Sequence, residues 1–433
     1  MAFYLSRYAR IFQKHGHWWL FHSPTGIAAK FTDDFVETPE FRQLVEHKAV
    51  EASDHTVVQT MRHYGILVDD HTYAQEPALL DERLSKYIQN EDSFELTILP
   101  TEKCNFRCPY CYEDFKLGRM PRWVVDAVKQ LLSRQAGREG LKHIGLGWFG
   151  GEPLIARDIV FEITEHALSE AQNHNLEFTC GITTNGYYLD KATFIRLAEL
   201  QVTTYQVTLD GPPDVHNQSR ILFSGQGTFD RIWTNLEDIH KSDKNFVLIL
   251  RMNVHDRNYE AIKAWLPTLR QTFLREDERF LLHFHAVFAS NLNGKNKRRN
   301  MEQIRELYQI ARTHQLFIDL KQVFTPFGSI CYAAKANNFI VRSNGDINKC
   351  TVAFGIPENH VGKLTSDGEL RLNENIRLWV RDSLPHPSCR SCVVAYQCGG
   401  HASCPLQPIL RGENKRYCNI YRDFENLIPV LAL

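Results

Sequence analysis

The chain has 433 residues, 43% of them hydrophobic and 23% charged, with a formal net charge of −1. That composition belongs to a globular protein long enough for two or three domains, and the near-neutral balance argues against nucleic acid or an anionic membrane as the main partner. No stretch approaches the ~20 apolar residues of a membrane span, and the opening MAFYLSRYARIFQKHG breaks its apolar run with charges, so the sequence reads as cytoplasmic.

The first 80 residues predict a small domain of their own. Ser23-Pro24-Thr25-Gly26 is a turn between short strands at 18–22 and 27–31. Thr38 then caps a helix with Pro39 in its first turn. A second helix at 56–64 ends at Gly65, and a strand at 66–68 follows. Hairpin, helices and strand together predict a winged-helix-like module over 1–80.

From residue 94 the pattern changes to alternating strands and helices. Strands are predicted at 94–99, 143–149, 177–184, 203–209, 246–253 and 281–288. Helices fall between them at 123–132, 158–170, 191–200, 229–240 and 259–270. The fold class is therefore α/β, a parallel sheet over 94–300, either open or curled into a partial (β/α)6 TIM-like barrel. Chemistry in such sheets sits at the carboxyl ends of the strands. A basic loop at 291–300 and a helix at 302–314 lead into the last region.

Eleven cysteines predict metal ligation rather than disulfides in a cytosolic chain. Three stand at 104–111, one is Cys180, and seven run from Cys331 to Cys418, so two separate metal regions are expected. The stretch CNFRCPYC follows the first barrel strand and supplies Cys104, Cys108 and Cys111 with no fourth cysteine nearby. A closed structural site wants four ligands, whereas three leave a position open for chemistry.

The other strand ends carry polar groups. Gly150-Gly151-Glu152-Pro153 ends strand two, where glycines permit close backbone approach and a carboxylate can accept from an ammonium. Thr184 and Asn185 end strand three, Thr208-Leu209-Asp210-Gly211-Pro212 ends strand four with His216 and Arg220 beyond it, and Asn253 ends strand five.

These elements resemble the radical S-adenosylmethionine superfamily. The resemblance implies that Cys104, Cys108 and Cys111 hold three irons of a 4Fe-4S cluster, and that the amino and carboxylate groups of S-adenosylmethionine take the fourth. It implies that Gly150, Gly151 and Glu152 face the methionine amino group, that Thr208 and Arg220 meet its carboxylate, and that Tyr110 lies beside the adenine. Thr184, Asn185 and Asn253 are further cofactor-facing positions. One electron then cleaves the sulfonium bond, and the resulting 5′-deoxyadenosyl radical abstracts hydrogen. A reducing partner, flavodoxin or ferredoxin, is implied.

Near the end, Asn344-Gly345 predicts a hairpin that brings Cys331 and Cys350 together. Cys389-x2-Cys392-x5-Cys398-x5-Cys404 and Cys418 follow. Over 325–425 this resembles the SPASM domain, although five residues stand before Cys404 where three are usual. The resemblance implies an auxiliary cluster on Cys389, Cys392, Cys398 and Cys418, and a second on Cys331, Cys350 and Cys404 with an open iron. A zinc ribbon is the plainer alternative.

Together these resemblances imply a maturase of ribosomally made peptides, whose N-terminal module grips a leader added as a strand to a sheet edge. The expected product is a C–C or C–S crosslink. Formylglycine formation by a sulfatase-maturase-like enzyme and small-molecule radical dehydrogenation are alternatives, as is a non-enzymatic iron–sulfur or zinc-stapled binding protein. Sulfatase maturases carry an aspartate where this chain has Thr351, a poor general base. A general base is left open among Asp210, His216, His283, His285 and Tyr332.

Overall fold

The computed structural model describes residues 2–113, 115–287, 294–320, 324–380, 387–400 and 404–411, with Glu425 and Ile428; for 294–301 and 411 it describes the backbone only. They divide into two compact units, one of Met1–Gln89, Leu320–Ala336 and Arg377–Leu433, the other of Asn90–Asp319 and Asn337–Ile376. Among the described residues no helix is long and apolar enough to cross a membrane.

The first unit runs through β1 (Ala2–Leu5), β2 (Ala9–Lys14), β3 (His17–His22), β4 (Ile27–Lys30), α1 (Asp33–Val36), α2 (Pro39–His47), β5 (Ala49–Glu51), α3 (Thr56–His63), β6 (Leu67–Val68) and α4 (Asp70–Gln89). β1 pairs antiparallel with β5 and β6, while β2, β3 and β4 form a separate meander. The Thr38 hydroxyl accepts from the Phe41 amide at 3.2 Å, the N-cap read from the sequence. Phe35, Leu44, Val58 and Met61 bury the helices against the strands.

The hairpin turn between β3 and β4 is packed on one side, with Ser23 buried and Thr25 exposed. Gly26 has φ +72°, and a Cβ there would come 2.2 Å from the Phe324 carbonyl oxygen. Ser23 accepts from Gln397 Nε2 at 2.8 Å through its carbonyl and donates its hydroxyl to Gln397 Oε1. Tyr8, Leu80, Leu84 and Ile88 share one apolar cluster with Phe327, Ile330, Ala395 and Tyr396.

In the second unit β7 (Ser93–Ile98), β8 (His143–Trp148), β9 (Glu177–Thr184), β10 (Val202–Thr208), β11 (Val247–Val254) and β12 (Phe280–Ala286) lie parallel and side by side in chain order. The connections contain α5 (Arg122–Ala136), α6 (Arg157–Asn173), α7 (Lys191–Glu199), α8 (Pro213–Ser219), α9 (Phe229–His240) and α10 (Tyr259–Leu269). All six strands and all five helices expected from the sequence are present within a few residues.

Side chains alternate between the faces of this sheet. One row, including Leu96, Ile98, Leu146, Trp148, Leu250 and Met252, is buried, and Trp148 donates its indole N–H to Thr164 of α6 at 3.0 Å. The intervening row carries small or polar side chains at Glu95, Thr97, Gly145, Gly147, Thr183, Arg251, Asn253, His283 and His285, with the apolar Ile249 and Leu281 farther from the carboxyl ends.

Two features depart from expectation. β13 (Asn338–Val341) pairs parallel with β7, and β14 (Asp346–Asn348), β15 (His360–Leu364) and β16 (Leu370–Leu372) extend the same sheet antiparallel. The basic run expected as a loop is helical from Gly294, the start of α11 (Gly294–Thr313), while 291–293 lie outside the described residues. Lysine and arginine are good helix formers, and nothing after Gly294 breaks the helix.

Candidate functional site

The three-cysteine loop leaves the carboxyl end of β7, where its backbone is gripped by the glycine pair after β8. A Cβ at Gly150 would come 2.3 Å from the Thr101 carbonyl oxygen, and one at Gly151 would come 2.5 Å from that of Lys103. The Glu152 amide donates to the Lys103 carbonyl at 3.0 Å. What approaches these glycines is thus the backbone just before Cys104.

Glu152 is fully buried. Its Oε1 accepts from Thr184 Oγ1 at 2.7 Å and the Leu154 amide at 3.0 Å, and its Oε2 accepts from the Asn185 amide at 2.7 Å. Burial pushes its carboxyl upward and these donors oppose the shift. Asn185 turns its amide to Asn105 Oδ1 at 2.8 Å and to Cys104 Sγ at 3.8 Å. Glu152 therefore ties the ends of β8 and β9 together under the loop.

Burial raises all three thiols, that of Cys104 to about 12. Loading a metal must drive off their protons. Among the described residues no three cysteine, histidine or carboxylate groups already converge on one metal position.

A second network anchors the residue between the last two cysteines. The Tyr110 hydroxyl donates to Asp210 Oδ2 and accepts from Arg220 Nη1 at 2.9 Å and Asn253 Nδ2 at 3.4 Å. Burial raises that hydroxyl. Asp210 Oδ2 also accepts from Ser219 Oγ at 3.0 Å. Thr208 closes β10 in register with Arg251 of β11.

His216 is consumed by its surroundings. Its Nδ1 accepts from the Asp210 amide at 3.3 Å, and its Nε2 lies 3.0 Å from Thr228 Oγ1, which donates to the Arg220 carbonyl at 2.6 Å. Burial lowers the imidazole to about 3. His283 and His285 stand on β12 with ring centroids 6.3 Å apart, and burial, then Arg251, lowers His285 to about 3. Tyr332 belongs to the first unit and Asp210 to the second.

Two buried atoms in this network have no hydrogen-bond partner among the described residues: Arg220 Nε and Asp210 Oδ1. An orphaned donor on a cation and an orphaned acceptor on an anion are what the carboxylate and ammonium ends of an amino acid satisfy. Three sulfur ligands and this pair of complementary groups fit a cluster that holds an amino-acid-ended cofactor.

The family model described as the Radical SAM superfamily matches residues 98–266. Those residues, less than half of the chain, are similar to a radical SAM domain. The family's cofactors are S-adenosylmethionine and a 4Fe-4S cluster, and its members are enzymes. The cysteine-type anaerobic sulfatase-maturating enzyme of Clostridium novyi is 21% identical over 338 residues, covering 69% of this chain and 85% of the relative. An uncharacterized protein of Archaeoglobus fulgidus is 24% identical over 198 residues, 46% of this chain. The chain spans less than half of that relative, 43% of its length. Native anSMEcpe with bound AdoMet and Cp18Cys peptide aligns with a TM-score of 0.55 at 18% identity, covering 78% of this chain and 96% of that one. At that identity the likeness is one of fold.

Several residues that shape the radical SAM site escaped the sequence reading. Asn258 donates to the Asp210 carbonyl at 2.9 Å and the Asn253 carbonyl at 2.8 Å, tying β10 to β11. Glu102 and Arg342 form a buried bidentate ion pair at 3.0 and 2.6 Å, joining the cysteine loop to the strand that follows Asn337. An asparagine before a helix hints at the first; nothing local signals the second.

Of the later cysteines, Cys331, Cys389, Cys392, Cys398 and Cys404 belong to the first unit and Cys350 to the second. The expected hairpin forms between β13 and β14, with Cys350 two residues beyond it. The Cys392 amide donates to the Cys389 carbonyl at 3.1 Å, a tight turn between the paired cysteines. Cys418 lies outside the described residues.

Proposed function

We propose that this protein is a radical SAM peptide maturase that abstracts hydrogen from a ribosomally made precursor peptide and installs a C–C or C–S crosslink. The observation that carries the reading is the buried, oppositely charged pair of orphaned atoms on Arg220 and Asp210 beside the three-cysteine loop. Cys104, Cys108 and Cys111 would hold the cluster. Arg220 would take the carboxylate of S-adenosylmethionine and Asp210 its ammonium, with Tyr110 locking both side chains in place. When bound, the cluster and cofactor would supply a hydrogen-abstracting radical.

A flavodoxin- or ferredoxin-type protein would deliver the electron. Cys389, Cys392 and Cys398 would ligate an auxiliary cluster that removes the electron left after bond formation. Peptide as substrate is supported by the bound peptide in anSMEcpe and by the extra module built from residues 1–89.

Formylglycine formation is a second reading, favoured by the sulfatase-maturating relatives. Thr351 speaks against it, because a hydroxyl there does not readily take a proton. One anaerobic experiment separates the two. Reconstituted protein, S-adenosylmethionine and reductant are incubated with small peptides encoded beside its gene. Loss of two hydrogens from a peptide without reactivity toward a hydrazide supports the crosslink. A hydrazide-reactive aldehyde supports formylglycine, and no change in any peptide rejects both.

A further inference from the structure

The carboxyl end of the parallel sheet carries a second polar group beside the Tyr110 network. Thr208 of β10, Arg251 of β11 and His283 of β12 stand in register, and Asn253 and His285 form the next pair along. They alternate with Leu250, Met252, Leu282 and Phe284, which are buried. Arg251, His283 and His285 are only partly buried. Water reaches this face of the strands, and so can a ligand.

Arg251 is a cation without an anion. Among the described residues its side chain makes one hydrogen bond, from Nε to Asn253 Oδ1 at 3.0 Å, and no carboxylate forms an ion pair with it. Its two terminal nitrogens keep their donors, in the forked arrangement that matches a carboxylate. Burial lowers the guanidinium from its ordinary value and Arg220 adds to that, against Tyr112, Tyr110 and Asp210. An anion brought to such a group relieves the charge.

The neighbours do not supply one. Asp319 is turned to His283, its Oδ2 lying 3.4 Å from Nδ1, and its amide donates to the Leu282 carbonyl at 2.9 Å. His285 is held neutral, lowered to about 3 by burial, then by Arg251 and His283.

The carboxylate of S-adenosylmethionine already has Arg220 in the reading above, so a second carboxylate comes from another molecule. Asn253 links the two guanidinium groups. It accepts from Arg251, and its Nδ2 donates at 3.4 Å to the Tyr110 hydroxyl, which accepts from Arg220. An anion on Arg251 is therefore a neighbour of the cofactor's seat.

We propose that Arg251 binds the carboxylate of an aspartate or glutamate in the substrate peptide, close to the residue that loses hydrogen. The proposal rests on the peptide-maturase reading. It makes the end of β11 a selector for an acidic residue beside the modified one.

The test uses the reconstituted full chain and the small peptides encoded beside its gene, labelled with fluorescein. Each is also made with one Asp or Glu at a time changed to its amide. Fluorescence anisotropy is expected to show one acidic position whose amide binds at least about thirtyfold more weakly, the scale of stranding one member of a charge pair. Arg251→Gln should weaken the unaltered peptide by a similar factor and lose nothing further with that amide, because the contact is already gone. Arg251→Lys, which keeps the charge without the paired donors, should fall between. Equal binding by wild type and Arg251→Gln, or losses from variant and amide that simply add, overturns the assignment. So does weaker binding of radiolabelled S-adenosylmethionine to Arg251→Gln, in equilibrium dialysis, with peptide binding intact; that result gives Arg251 the cofactor's carboxylate instead. The peptide amides need no protein variant, so a variant that fails to fold does not shield the proposal. The mass change of the peptide is read separately. A peptide that is bound and modified whichever acid is changed sinks this proposal alone. Binding that depends on one acid and on Arg251, with no peptide modified, sinks the maturase reading alone.

Discussion

The two cysteine-bearing regions are braced in opposite ways. The loop of Cys104, Cys108 and Cys111 is held by the strand ends beside it: Gly150 and Gly151 clasp its backbone, Glu152 and Asn185 support Cys104, and Asp210, Arg220 and Asn253 fix Tyr110. The segment of Cys389, Cys392 and Cys398 is held by residues hundreds of positions earlier. Ser23 engages Gln397, and the Tyr8 hydroxyl donates to the Arg390 carbonyl at 2.7 Å. A site braced by its own fold can be read from a short motif. One braced by a distant module depends on that module, so residues 1–89 are a structural part of the cysteine-rich segment.

The contrast breaks most sharply at Gly151. Its Cβ position lies 2.5 Å from a backbone oxygen, which cannot move as a side-chain tip can. Gly151→Ala should displace the Cys104 loop and lower S-adenosylmethionine cleavage by about a hundredfold, the scale of an ångström-sized misplacement. Iron on the later cysteines should remain. Uniform loss of all iron would contradict the separation of the regions.

Arg342→Met tests the long-range brace within the second unit. The Glu102 side chain is fully buried and that of Arg342 is 15% exposed, so stranding the carboxylate should cost about 3–5 kcal/mol in chemical denaturation. Adding Glu102→Gln should recover part of the loss. Gln397→Ala does the corresponding experiment in the first unit. Leaving the buried Ser23 carbonyl without its Gln397 donor should cost about 1–3 kcal/mol without altering the electron paramagnetic resonance of the Cys104 cluster.

The smallest effect is on pH dependence. Burial lowers His216 from 6.5 to about 3 and His22 from 6.5 to about 4. Each imidazole is neutral in the folded protein while the unfolded chain takes the proton first. Their contribution is complete above pH 6.5 and is lost as pH falls through about 4 for His22 and about 3 for His216. His216→Gln and His22→Gln should each flatten that decline, the first in the radical SAM domain and the second in the N-terminal module.

The same contrast explains what the sequence made legible. The six strands were visible because local periodicity and the polar residues at their ends agree. β1 was invisible: four residues whose partners, β5 and β6, lie 44 or more positions away. β13 could be read as a hairpin strand but not as a neighbour of β7, because parallel pairing leaves no turn signal. The role of Gly150 and Gly151 was half legible, since a sequence shows that something must come close there but not that the cysteine loop itself does.

The most direct test is the iron and acid-labile sulfide content of anaerobically reconstituted protein, measured beside Cys104→Ala/Cys108→Ala/Cys111→Ala, with 5′-deoxyadenosine formation followed in both. The account predicts that the variant loses about four irons, one complete cluster, keeps the rest, and makes no 5′-deoxyadenosine. Zinc in place of iron, or 5′-deoxyadenosine still formed by the variant, would contradict it.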